Sequence, residues 1–191
     1  MKSKKILLPV ASLIITFLLT GCASAPSHLI IAPEITAPSI IQHTNQQAAL
    51  NVVDMRTANH IVQILREGEA ATILSAQERL EKTIQNSLKK HWQQQGLSIQ
   101  ASAVNSINIA IEKAIISVTQ KTMSYQVQTE IVLKVAVNNS VQTLTSTFKN
   151  SGTSKGPFKA DIAVLERNFN QRLANLLQQI LTNEKINLFL K

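Results

Sequence analysis

Residues 123–137 read MSYQVQTEIVLKVAV, the longest alternating run in the chain. Met123, Tyr125, Val127, Ile131, Leu133, Val135 and Val137 share one parity, and Ser124, Gln126, Gln128, Glu130 and Lys134 share the other. Successive side chains of a strand point to opposite faces. The run therefore predicts one long strand with an apolar face on a core and a wet face outside, the pattern of antiparallel sheets.

The flanks extend this reading. Asn138-Asn139 fits a tight turn with positive φ, and residues 141–149 return as a strand with Thr143, Thr145 and Thr147 opposite Leu144 and Phe148. Upstream, Ile107, Ile109 and Ile111 keep one parity while Ile116 and Val118 keep the other. Either a β-bulge near residues 113–115 re-aims the strand, or both of its faces are partly covered there. Three long strands in a meander follow. The next stretch, NSGTSKGPFK at 150–159, reads as a Gly/Ser connector. It lacks the G-x-x-x-x-G-K-[ST] spacing that cradles phosphate, which argues against nucleotide binding.

Two helices bracket the meander. Over 160–182, Ile162, Leu165, Phe169, Leu173, Leu176, Leu177 and Ile180 form a stripe at helical spacing. Asn183-Glu184 then caps a short closing turn. Over 75–95, Ser75-Ala76-Gln77-Glu78 has the capping-box spacing, and Leu80, Ile84, Leu88 and Trp92 recur at four-residue steps up to Gly96, a left-handed stop. Before that helix, 61–65 and 70–74 flank Arg66-Glu67-Gly68-Glu69 as a hairpin. The first strand, 49–55, runs into Asp54-Met55-Arg56-Thr57. Asp54 and Arg56 share a face of an extended chain, so they are either a charged binding site at a strand end or a local ion pair. The fold expected is α+β, an antiparallel sheet of about five to seven strands with two main helices on one face, in the order β-β-β-α-β-β-β-α.

The N-terminal 23 residues, MKSKKILLPVASLIITFLLTGCA, place Lys2, Lys4 and Lys5 before an apolar run that ends at Leu19-Thr20-Gly21-Cys22. The run is short for a membrane span and carries Pro9 and Ser12. The order is that of a secretory signal, and Leu-Thr-Gly-Cys resembles a bacterial lipobox. Cleavage between Gly21 and Cys22 would leave Cys22, the one cysteine of the chain, as a new N-terminus. It would carry a diacylglycerol and an N-acyl chain and no other cofactor. A free thiol is a liability in an oxidising compartment, and a thioether removes it, while several acyl chains supply stable anchoring. Residues 1–21 are thus read as signal, 22–47 as the lipidated cysteine and a flexible Pro/Ala/Ser tether, and 48–191 as one periplasmic domain. Pro26, Pro33 and Pro38 deny the tether a helix; a flexible chain of that length reaches about 25–30 Å. Its isoleucines 30, 31, 35, 40 and 41 are more apolar than a spacer needs, so part of it is expected against the domain as an edge segment.

With that leader and element order in view, the whole chain resembles the YajG family of bacterial lipoproteins. The resemblance rests on Leu19-Thr20-Gly21-Cys22, on Ile30 to Ile35 as Ile-x-x-Pro-x-Ile, on Asp54-x-Arg56-Thr57, on Gln95-Gly96 and on Tyr125. It implies a Gram-negative envelope lipoprotein and supplies no catalytic residues. Ala23 is not the Asp that retains enteric lipoproteins in the inner membrane, so the periplasmic face of the outer membrane is the expected address.

Other chemistry is sparse. The formal charge of +8 falls to +5 once Lys2, Lys4 and Lys5 leave with the signal, and the remaining cations are scattered. Nucleic-acid binders concentrate theirs on one face, so no nucleic-acid partner is expected. His28, His43, His60 and His91 lack zinc-site spacing, no metal is expected, and there is no G-x-S-x-G elbow. A binding or adaptor module docking on an envelope protein through a sheet face or edge is the leading reading. A binder of lipid or peptidoglycan fragments in a cleft between sheet and helices comes second, and an envelope hydrolase third. Cys22→Ala should abolish acyl labelling in cells; a lipid-labelled product from that variant would refute the lipobox reading.

Overall fold

The structure, a computed structural model, describes residues 27–36 and 40–190. The signal peptide, Gly21 and Cys22 lie outside the described residues. The strands are β1 (His28–Leu29), β2 (Gln47–Asp54), β3 (His60–Arg66), β4 (Thr72–Ala76), β5 (Ser98–Ile99), β6 (Asn105–Gln120), β7 (Ser124–Asn138) and β8 (Thr143–Pro157). The helices are α1 (Leu80–Gln94), α2 (Ile162–Leu181) and α3 (Glu184–Phe189). The class is α+β, and β6, β7 and β8 form the antiparallel meander.

The sheet is mixed, however, where an antiparallel one was expected, and it has eight strands in the order β1-β4-β3-β6-β2-β5, with β7 and β8 continuing beyond β6. Both β2 and β3 run parallel to β6. They lie end to end along the same edge of it, β2 against Ala110 and Ile111 and their predecessors, β3 from Ile116 onward. The short link between them therefore carries the chain forward without reversing it. Alternation in sequence reports which face a residue takes and is silent on strand direction, so it could not separate the two sheets.

The bulge is present. Ile111 opposes Leu133 and Lys113 opposes Val132, so Glu112 is the extra residue. Ile107, Ile109 and Ile111 before it, and Ala114, Ile116 and Val118 after it, are all buried on the helix side. That side is filled by Leu80, Ile84, Leu88 and Trp92 of α1 and by Leu165, Phe169, Leu173 and Leu177 of α2, all at most 5% exposed.

Three boundaries differ from the sequence reading. Ser75 and Ala76 are not a helix cap; they pair with His28 and Leu29 in β4, and α1 starts at Leu80 with no side-chain cap. Strand pairing on both sides of β4 wins over the capping box. Residues 150–157 of the stretch read as a connector are no loop but the second half of β8, paired with β7 as far as Ser124–Pro157; only Phe158 and Lys159 lie beyond it. Its glycines mark close approaches: a Cβ on Gly152 would fall 2.1 Å from Arg172 Nη2, and one on Gly156 would fall 2.6 Å from the Tyr125 hydroxyl oxygen. Met123, expected on the core face, is 66% exposed in the turn before β7.

The stretch read as tether packs onto the domain from His28. Leu29 and Ile31 are buried. Ile30 N donates to Glu166 Oε2 at 2.7 Å, and Asn170 one turn later takes Ala32 N at 3.0 Å and donates to Ile30 O at 2.9 Å. Further on, Gln42 N and His43 N both donate to Gln95 O at the end of α1. His43 is fully buried, with Nδ1 3.0 Å from Gln46 Oε1 and Nε2 3.3 Å from Asn187 Oδ1 of α3.

Gly96 secures that end of α1. Leu97 N reaches back to Trp92 O and Gly96 N to Gln93 O, a Schellman closure in which Leu97 and Trp92 are both buried. Gly96 has φ +90°, and a Cβ there would sit 3.2 Å from Ile41 Cγ2. Gly96→Ala should cost about 1–2 kcal/mol from the left-handed backbone alone, read as a lowered urea midpoint at unchanged slope.

Candidate functional site

Asp54 and Arg56 sit where β2 stops and β3 has not begun. Between Ile111 and Ile116 the edge of β6 has no strand partner on this side. Met55 N closes the first position by donating to Ile111 O at 3.0 Å. Arg56 then turns its guanidinium into the gap. Nη1 donates to Ala114 O at 3.0 Å and His60 O at 3.2 Å, and Nη2 donates to Asn59 O at 3.4 Å. Nε and Nη2 grip the two Asp54 oxygens at 2.9 and 2.7 Å, a bidentate pair. The side chains are 6% and 14% exposed.

A guanidinium has five N–H donors, and all five are used within the chain. The arrangement thus satisfies backbone carbonyls beside the bulge and offers no free donor to a ligand. Burial by itself would raise the Asp54 pKa, but the hydrogen bonds and charge of Arg56 outweigh it and hold the carboxyl below its usual range.

The face of the sheet away from the helices carries the other charge cluster. Glu130 on β7 lies between Lys113 Nζ of β6 at 2.5 Å and Lys149 Nζ of β8 at 2.7 Å. The hydrogen bond from Lys113, then that from Lys149, lowers its pKa. No spacing in the chain links Glu130 to Lys149, because the contact depends on strand register. Around this triad Gln126, Gln128, Thr143, Thr145, Thr147, Ser151 and Thr153 are exposed. The face is polar, uncharged over much of its area, and uncovered by α1 or α2.

The histidines stay apart: His28 in β1, His43 against α3, His60 opening β3 and His91 on α1. Among the described residues no three His, Cys, Asp or Glu converge as metal ligands, and no helix is long and apolar enough to cross a membrane.

Comparison with known proteins bears on what such a molecule is. A family model described as Uncharacterized lipoprotein matches residues 33–191. The chain belongs to that lipoprotein family. It is 25% identical over 185 residues to the Uncharacterized lipoprotein YajG of Escherichia coli K12, covering 94% of this chain and 88% of that one. Among solved structures, protein XCC0632 from Xanthomonas campestris superposes with a TM-score of 0.57 at 13% identity, over 83% of this lipoprotein and 95% of that chain. The second likeness is one of fold. The family description carries no catalytic activity.

Arg56→Ala should destabilise this lipoprotein by about 3 kcal/mol, since it strands a buried carboxylate and leaves buried carbonyls without donors. Arg56→Lys should recover only part of that, because it lacks the fork. The pH dependence has a definite sign. Asp54 and Glu130 titrate lower in the folded state, so the unfolded chain binds more protons and stability rises with pH. Their contribution is complete above the ordinary carboxylate range, about pH 4, and is lost as pH falls below it. Urea midpoints measured from acid to neutral pH should show this slope, flattened in Asp54→Asn.

Proposed function

We propose that this lipoprotein is a non-catalytic binding module of the Gram-negative envelope. It is anchored through Cys22 at the periplasmic face of the outer membrane and engages an envelope protein with the open face of its sheet. The observation that carries the reading is the contrast between the two faces. The helix side is a filled aliphatic core, whereas the opposite side of β6, β7 and β8 is a broad Gln/Thr/Ser surface with the Lys113–Glu130–Lys149 triad at its centre and Lys134 and Lys155 further along it. The polar side chains that are ordered by partners, Arg56, Glu130 and His43 among them, are engaged in holding strands and segments together. That leaves the uncovered face as the surface suited to recognition.

The second reading, a binder of lipid or wall fragments between sheet and helices, has less support. The interior there is occupied by Trp92, Phe169, Leu173 and their neighbours. An open surface cleft of about 690 Å³ at the α2–α3 junction has Phe148, Gln179, Thr182 and Lys185 in its lining, and it is shallow.

A photo-crosslinking residue at Gln128 of the full-length chain, irradiated in intact cells, should yield a protein adduct. The same residue at Arg167, exposed on α2, should not. Recovery of only lipid or glycan from position 128 would overturn the adaptor reading. Fractionation should place the protein in the outer membrane; recovery with the inner membrane would overturn that address alone.

A further inference from the structure

The N-terminal segment fixes how far the domain can stand from its anchor. The chain is already held at His28, paired with Ser75 in β4. Only five peptide units separate Cys22 from Ser27, and these span at most about 18 Å in any conformation. β1 runs parallel to β4, so the chain enters from the end of the sheet at which β4 begins. That is the end where β3 stops at Arg66, β6 stops at Gln120 and β7 begins.

Leu74, next to the partner of His28, lies level with Val62 and Ile116. From Ile116 to Gln120 is four residues, about 13 Å of strand, while from Ile116 back to Asn105 is eleven, about 36 Å. The first distance is within reach of the linker and the second is beyond it. With Cys22 acylated, the end of the sheet bearing Gln120 is the one the linker can bring to a membrane, and the Asn139–Gln142 turn lies at the other end.

The near end is built unlike the far one. Met123 and Phe158 are 66% and 62% exposed, and they are brought side by side by Phe158 N donating to Met123 O at 3.1 Å. Phe158 holds φ +60°, a region bulky residues avoid. The Gln120 amide keeps it there, its Nε2 donating to the carbonyls of Lys121, Ser124 and Phe158 and its Oε1 accepting from Ala160 N. A conformation that is costly and leaves an aromatic ring in water is not explained by packing. Around the pair stand Lys121, Lys155 and Lys159, none of them in a salt bridge among the described residues. Arg66 is there too, spent on Glu69 at 3.7 Å and on Thr72 Oγ1 at 3.0 Å, with Glu67 beside it. At the far end Val104 and Val141 are exposed, but residues 100–105 and 138–143 contain no charged side chain.

We propose that this end of the sheet docks on an anionic bilayer surface, with Met123 and Phe158 entering the headgroup region and Lys121, Lys155 and Lys159 meeting lipid phosphates. The inference rests on acylation of Cys22. Apolar side chains ringed by cations bind such surfaces through both terms, and each cation near an anionic leaflet counts for about a fivefold change in binding. Docking here leaves the polar sheet face standing off the membrane plane, open to a partner.

The test uses the full-length acylated protein with one introduced thiol, Met123→Cys or Val141→Cys, carrying a bimane fluorophore. Each is reconstituted in phosphatidylethanolamine/phosphatidylglycerol vesicles with a nitroxide-headgroup lipid. Quenching at position 123 and its absence at 141 is the expected result. Equal quenching at both, or stronger quenching at 141, would overturn the proposal. Adding Lys121→Glu and Lys159→Glu should abolish quenching at 123; unchanged quenching would overturn the electrostatic contact. Mass spectrometry of the N-terminal peptide separates the two levels. An unmodified Cys22 brings down the anchor reading and this inference with it, whereas an acylated Cys22 with an unquenched label at 123 overturns the docking alone.

Discussion

A β-strand has two edges, and the way β6 fills its own decides the rest of the molecule. One edge is taken along its whole length by β7. The other is shared by β2 and β3, which meet it in the same direction but not in continuous register. The bulge at Glu112 re-aims the side chains of β6 so that both halves present aliphatics to the same core. A break in the neighbouring strand is tolerable only if the exposed carbonyls find donors, since buried unpaired backbone groups are costly. Arg56 supplies them, and Asp54 neutralises Arg56. Placement of α1 and α2 over one face follows, because the buried aliphatic residues of β6, Ile107, Ile109, Ile111, Ala114, Ile116 and Val118, then point the same way.

Much of this was legible in the chain. The alternation of Met123 to Val137, the parity switch between Ile111 and Ile116, the hairpin around Gly68 and the stripes of both helices are local patterns, and each survives in the fold apart from Met123 itself. What failed to show was whatever depends on a distant partner. Ser75 and Glu78 spell a helix cap, yet β1 and β3 hold Ser75 extended from either side. The glycines of 150–159 spell a loop, yet a 15-residue β7 requires an equally long neighbour, and Tyr125 and Arg172 fill the space their missing side chains leave. Strand direction was invisible for the same reason. At the site level, the spacing of Asp54 and Arg56 disclosed a shared face, while the carbonyl of Ala114, 58 residues on, supplied the meaning.

The polar chemistry of this lipoprotein is structural in a consistent way. Arg56 bridges a gap in a strand edge, Gln120 gathers the turns at one end of the sheet, and Glu130 ties three strands together. Asn170 and Glu166 hold an extended segment to a helix. Each acts between elements far apart in sequence, which suits a small domain whose aromatics are only 4% of its residues and whose core is therefore built from short aliphatic side chains.

The segment that ends at β1 has a mechanical side. Were the chain anchored ahead of His28 and the domain held by a partner, tension between them would arrive at His28 and Leu29. It would fall on two residues of parallel pairing and a few hydrogen bonds to α2, while the long β6–β7–β8 ladders would stay unloaded. Residues 28–46 have a contour of about 65 Å, part of which they already span between β1 and β2, and freeing that segment would leave the meander intact. The two-residue pairing of β1 lies in line with the chain that precedes it, so a pull from that side would load this short pairing before the long ladders of the meander.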